Sequence, residues 1–90
     1  MKSILLIFLL FCTTLAHSQI VVVSDSKSGK PIENVVIHND QSSAYTNKEG
    51  KADISMFKNA ERITFTHSSY VELRTSYQNL WSANFSVKLF

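Results

Sequence analysis

Asp25-Ser26-Lys27-Ser28-Gly29-Lys30-Pro31-Ile32-Glu33-Asn34-Val35-Val36-Ile37 reads as the end of one strand, a tight turn and the start of the next. Gly29 suits a sharp reversal because glycine takes positive φ without a Cβ penalty. One turn with a Gly and a Pro in it is common, so the fold depends on what lies on either side.

Period-two alternation dominates the residues that follow. Ala52, Ile54 and Met56 alternate with Lys51, Asp53 and Ser55. Ile63, Phe65 and His67 alternate with Arg62, Thr64 and Thr66, and Val71, Leu73 and Thr75 with Glu72, Arg74 and Ser76. Each run predicts a strand with one wet face. Phe85, Val87 and Leu89 repeat the pattern, and Val35 with Ile37 supplies another inward row. Residues 20–23 are apolar throughout and are expected between two neighbouring strands. Turn chemistry separates the runs at residues 28–31, 39–42 and 47–50, where Gly50 is the second of the two glycines.

Seven short strands are therefore predicted, near 20–25, 34–39, 43–46, 50–56, 61–67, 69–77 and 84–90, forming a small all-β antiparallel sandwich. Residues 78–83 form an irregular piece with room for a single helical turn, where Leu80 and Trp81 are expected to cap one end of the core.

The N-terminus bounds the compartment. Lys2 precedes an uninterrupted apolar run over residues 4–11, and small residues stand at Ala16 and Ser18. This is the layout of a secretory signal peptide over residues 1–18, cleaved before Gln19. Even extended to Leu15 the run is shorter than the roughly 20 residues that a membrane-crossing helix needs. Cys12, the single cysteine, leaves with the leader; lipid attachment there is disfavoured because Phe11 is too large for a lipoprotein box. The mature chain then has no disulfide and is expected to rely on its core. This suits a bacterial envelope protein, in which the tripeptide Asn84-Phe85-Ser86 carries no glycosylation meaning.

Loss of Lys2 leaves eight basic against seven acidic side chains, a net charge of +1 with both signs scattered. No basic patch points to nucleic acid and no charge block to a tail. Residues 19–90 suffice for one domain only, and a chain of this size buries roughly 60 % of its unfolded surface.

Asp25, Gly29 and Pro31, then Ile32, Val35 and Ile37, followed by Thr46, Gly50 and Ile54, then Phe65, Ser69-Tyr70 and the closing Val87-Lys88-Leu89, together resemble the carboxypeptidase regulatory-like domain. The resemblance covers essentially all of residues 19–90 and implies a transthyretin-like seven-stranded Greek-key sandwich. Asp25, Gly29, Pro31, Gly50, Phe65 and Tyr70 match its structural motif. The chain departs from the family at Val21, where glycine is frequent, at Asn47 for aspartate, at Ala52 for a large aromatic and at Ser69 for glycine.

The resemblance implies a non-catalytic accessory module of the kind found behind the signal peptide of TonB-dependent outer-membrane receptors. It implies a place in the periplasm or on the periplasmic face of the outer membrane, with no cofactor and no membrane span after cleavage. The expected partner is a downstream receptor domain or a periplasmic protein. A stand-alone periplasmic spacer and a small transthyretin-like hydrolase are the alternatives. The aromatic at Phe90 does not make an outer-membrane barrel signal, because Lys88 and Ser86 occupy the two preceding positions of its row.

Individual side chains support chemistry less well. His38 and His67 with Asp40 or Asp53 lack local metal-ligand spacing. Ser42 or Ser68, His67 or His38, and Asp25 or Asp40 make a triad on paper, without a nucleophile elbow or oxyanion motif. Residues 25–29 lack the alternating oxygens of a calcium loop. Tyr45, Tyr70, Tyr77 and Trp81 are read as packing residues before a sugar platform. The candidate partner surface is instead a strand edge, residues 43–46 (Ser43, Ala44, Tyr45 and Thr46), where unpaired main-chain groups can accept another strand.

Overall fold

A computed structural model describes residues 19–90. The signal peptide expected over residues 1–18, with Cys12, lies outside the described residues. Among the described residues seven strands form two sheets, with one short α-helix and one 3-10 turn.

The three-stranded sheet contains β4 (Lys51–Asp53), β1 (Ile20–Asp25) and β7 (Ser86–Leu89) in that order. The four-stranded sheet runs β3 (Ser43–Tyr45), β2 (Val36–His38), β5 (Ile63–Thr66) and β6 (Leu73–Thr75). β1, apolar over residues 20–23, lies between two neighbours. One face of β1, carrying Val21 and Val23, is fully buried, while Ile20 and Val22 point outward and remain 41 % and 38 % exposed. The core closes between the sheets around Ile37, Ile54, Phe57, Ile63, Phe65 and Leu89, all at most 1 % exposed.

The sandwich is not antiparallel throughout. β7 runs parallel to β1, with Val23 beside Val87 and Asp25 beside Leu89. The cause is α1 (Tyr77–Ser82), which carries the chain from the edge of one sheet to the edge of the other. β6 ends where β1 begins, so β7 must set out in the direction of β1. Ser76 caps this helix by accepting from the Asn79 N–H at 3.1 Å. Leu80 is buried beneath it, but Trp81 is 62 % exposed and only edges against Phe85, so Leu80 alone caps the core.

Every predicted strand but the first is shorter in the structure, and those expected over residues 50–56 and 69–77 lose the most. Alternation stops at Ile54, because Asp53 Oδ1 accepts from both the N–H and the hydroxyl of Ser55 and turns the chain into the 3-10 turn Ser55–Phe57. Phe57 therefore enters the core and Met56 stays 53 % exposed, the reverse of the period-two expectation. Along residues 69–77 only Leu73–Thr75 form strand, and Val71 is 71 % exposed.

Candidate functional site

The residues singled out in the sequence gather at the end of the sandwich opposite α1. Asp25 closes β1 with an Asx turn: its Oδ1 accepts from the N–H groups of Lys27 at 2.7 Å and Ser28 at 2.8 Å. Its Oδ2 accepts from the Tyr70 hydroxyl at 2.7 Å. The Ser28 N–H, the Tyr70 hydroxyl and the Lys27 N–H, in that order, hold the Asp25 carboxyl down at about 2, against an ordinary 3.8. The same bond, followed by desolvation and the nearby negative charge, raises the Tyr70 hydroxyl above its ordinary value.

Gly29 and Gly50 both have positive φ, 74° and 73°. Gly29 donates its N–H to the Asp25 carbonyl at 2.9 Å and faces open space. Gly50 is confined: a Cβ there would run into the Val23 carbonyl oxygen and come within 3.1 Å of the Pro31 Cβ. The Gly50 carbonyl accepts from the Val23 N–H, and the Val23 carbonyl accepts from the Ile32 N–H. The segment after the first turn is thereby fastened to β1, with Pro31 bridged to Ser24. Phe65 is fully buried in the centre of β5.

The candidate edge divides into two parts. Ser43, Ala44 and Tyr45 form β3 at the outer side of the four-stranded sheet, and Tyr45 is 63 % exposed. The bonds Thr46 N–H to Val35 carbonyl and Asn39 N–H to Ser42 carbonyl set the ladder phase. The main-chain groups of Ser43 and Tyr45 consequently point away from β2. Thr46 is not available: it is 2 % exposed, and its hydroxyl donates to the Ile32 carbonyl at 2.7 Å and accepts from the Val35 N–H at 2.9 Å. Sequence reading missed this internal pin, since nothing local to Thr46 shows that Ile32 and Val35 return to meet it.

The structure divides the residues considered for catalysis or metal binding between the two ends of the sandwich. His67 lies beside Tyr70, its Nδ1 accepting from the Ser69 N–H at 3.1 Å, with the two rings edge to face at 5.3 Å. His38 sits at the α1 end, in a wide polar cleft of about 640 Å³ shared with Asp40, Lys58 and Arg62. Among the described residues no three His, Cys, Asp or Glu side chains converge to hold an ion. Tyr77 and Trp81 each edge against Phe85, while Tyr70 is tied to Asp25 and Tyr45 stands on β3, so these rings share no platform. Among the described residues four non-glycine positions have positive φ: Asn34, Asn59, Asn84 and Phe85. The asparagines follow the tolerance of their short side chains for this region, whereas Phe85 has no such signal in the sequence.

Among the described residues no helix is long and apolar enough to cross a membrane, a statement that does not bear on β-barrels. No protein-family model, curated protein or solved structure matches the chain.

Proposed function

We propose that this chain is an exported, non-catalytic accessory module of the carboxypeptidase regulatory-like type. In this reading it is the N-terminal domain of a TonB-dependent receptor or related envelope protein, binding a partner segment at the edge of β3. The observation that carries the reading is the contact between Asp25 and Tyr70, which joins the first turn of the motif to its Ser-Tyr element near the last strands. The packing of Gly50 on Pro31 supports it in the same way, because the glycines and the proline then serve one turn system. The Asp25 carboxylate meets three donors, so its arrangement favours bracing over proton transfer.

Cell fractionation with N-terminal sequencing of the recovered protein tests the reading. The expected product begins at or near Gln19 in the envelope fraction; a cytoplasmic product retaining residues 1–18 would overturn it. Genomic DNA beyond codon 90 tests the receptor assignment separately, with a plug-and-barrel reading frame as the expected finding. Its absence would leave the spacer as the better description.

A further inference from the structure

The two sheets differ by one strand, three against four. β3 and β4 adjoin on one side of the sandwich, so counting across from there leaves β6 with no strand opposite it. α1 closes the part of this lane nearest Ser86, whose N–H donates to the Ala83 carbonyl. At the other end the Val71 N–H donates to the Phe90 carbonyl at 2.7 Å and ties the two sheets together. Between these limits lies a cavity of about 190 Å³, lined by Val71, Leu73, Leu89 and Phe90 with Glu72 and Lys88 at its rim. Leu73 is half-buried there, and Val71 and Phe90 are 71 % and 77 % exposed, more than any other large apolar residue described.

Beside this cavity the main-chain groups of Lys88 face away from β1. Phe85 and Leu89 turn their carbonyls to β1, accepting from Val22 and Ser26, so alternation directs the N–H and C=O of Lys88 the other way. The outward Phe90 carbonyl, already held by Val71, confirms the phase. The side chain of Glu72 is engaged by Arg74 at 2.9 Å, whereas Lys88 has no ion pair among the described residues.

We infer that this vacant lane along β7 receives an extended peptide segment of another protein, with apolar side chains entering the cavity and a carboxylate opposite Lys88. The segment supplies the eighth strand, exchanging main-chain hydrogen bonds with Lys88. A second copy of this chain fits poorly: two β7 strands paired through the free groups of Lys88 would set the two ammonium groups directly opposite, a destabilising cross-strand pair. The inference does not require export and concerns a different edge from β3.

The test is nitrogen-15 NMR of the protein titrated with the blocked tripeptide Val-Asp-Leu, which fits between the Ala83 and Val71 contacts, to about 1 mM, where the binding free energy is about −4 kcal/mol. Saturable shifts are expected at Val71, Leu73, Lys88 and Phe90, with slowed amide exchange at Lys88. Lysine in place of the peptide's aspartate should weaken binding about tenfold, as a favourable cross-strand pair becomes a repulsive one. A peptide N-methylated at the aspartate, unable to donate, should not bind. The exposed substitution Val71→Asp should abolish the shifts while leaving the melting temperature unchanged. Absence of shifts at 1 mM, shifts confined to Ser43 and Tyr45, or shifts at Lys88 that depend on protein concentration without peptide would each overturn the inference.

Discussion

The Tyr70 hydroxyl donates a 2.7 Å hydrogen bond to Asp25 Oδ2 across 45 positions of sequence, joining the end of β1 to the loop that leads into β6. With two main-chain N–H groups on Oδ1, Asp25 is a three-donor carboxylate. Its charge state is therefore coupled to folding.

The Asp25 carboxyl lies near 2 when folded, below its ordinary 3.8. A depressed acid stabilises the folded state above its unfolded pKa, and this contribution is lost as pH falls through the folded value. Stability should accordingly decline between about pH 4 and pH 2, with Asp53, lowered by its bonds from Ser55, adding in the same direction. Asp25→Asn should flatten that decline in urea titrations at successive pH values; parallel curves for variant and wild type would remove Asp25 from the account. Tyr70 has the opposite sign: its raised pKa stabilises below its unfolded value of 10.0 and is lost at higher pH. Tyr70→Phe should abolish its alkaline contribution.

Gly29 and Gly50 share the same φ within a degree but not the same surroundings. Gly29→Ala should cost about 1–2 kcal/mol, the left-handed penalty for a Cβ. Gly50→Ala carries that penalty and also forces the Val23 carbonyl to move, so it should be the more damaging of the two. Equal melting temperatures for the two variants would contradict this order.

Thr46→Val leaves the buried Ile32 carbonyl and Val35 N–H without the hydroxyl that serves both. Each unsatisfied buried group costs about 1–3 kcal/mol. Thr46→Ser keeps both bonds and gives up one methyl, about 0.8 kcal/mol. Denaturant unfolding should rank serine well above valine; the reverse order would mean that the methyl matters more than the hydroxyl.

Phe65 is fully buried and Met56 is 53 % exposed, although alternation assigns both to inward rows. Phe65→Ala should cost about 3–5 kcal/mol, against a total near 5 kcal/mol at the low end for small domains, and leave the protein largely unfolded by circular dichroism. Met56→Ser should change stability by less than about 0.5 kcal/mol, as expected of an exposed site.

Local chemistry made most of the strands legible in advance. A strand has a two-residue period wherever one face is buried, so Ala52, Ile63, Phe65, Val87 and Leu89 declared their inward direction in the residue order itself. Gly29, Gly50 and the Asp25 turn were legible for the same reason, since a reversal needs particular backbone angles within three or four residues. The direction of β7, the descent of Phe57 into the core, the burial of Thr46 and the bond from Tyr70 to Asp25 were not. Each depends on which distant segment arrives alongside, and that is settled by closing two sheets over a single core. The lane left beside β7 is of the same kind, because a missing strand becomes visible only when the strands present have been laid side by side.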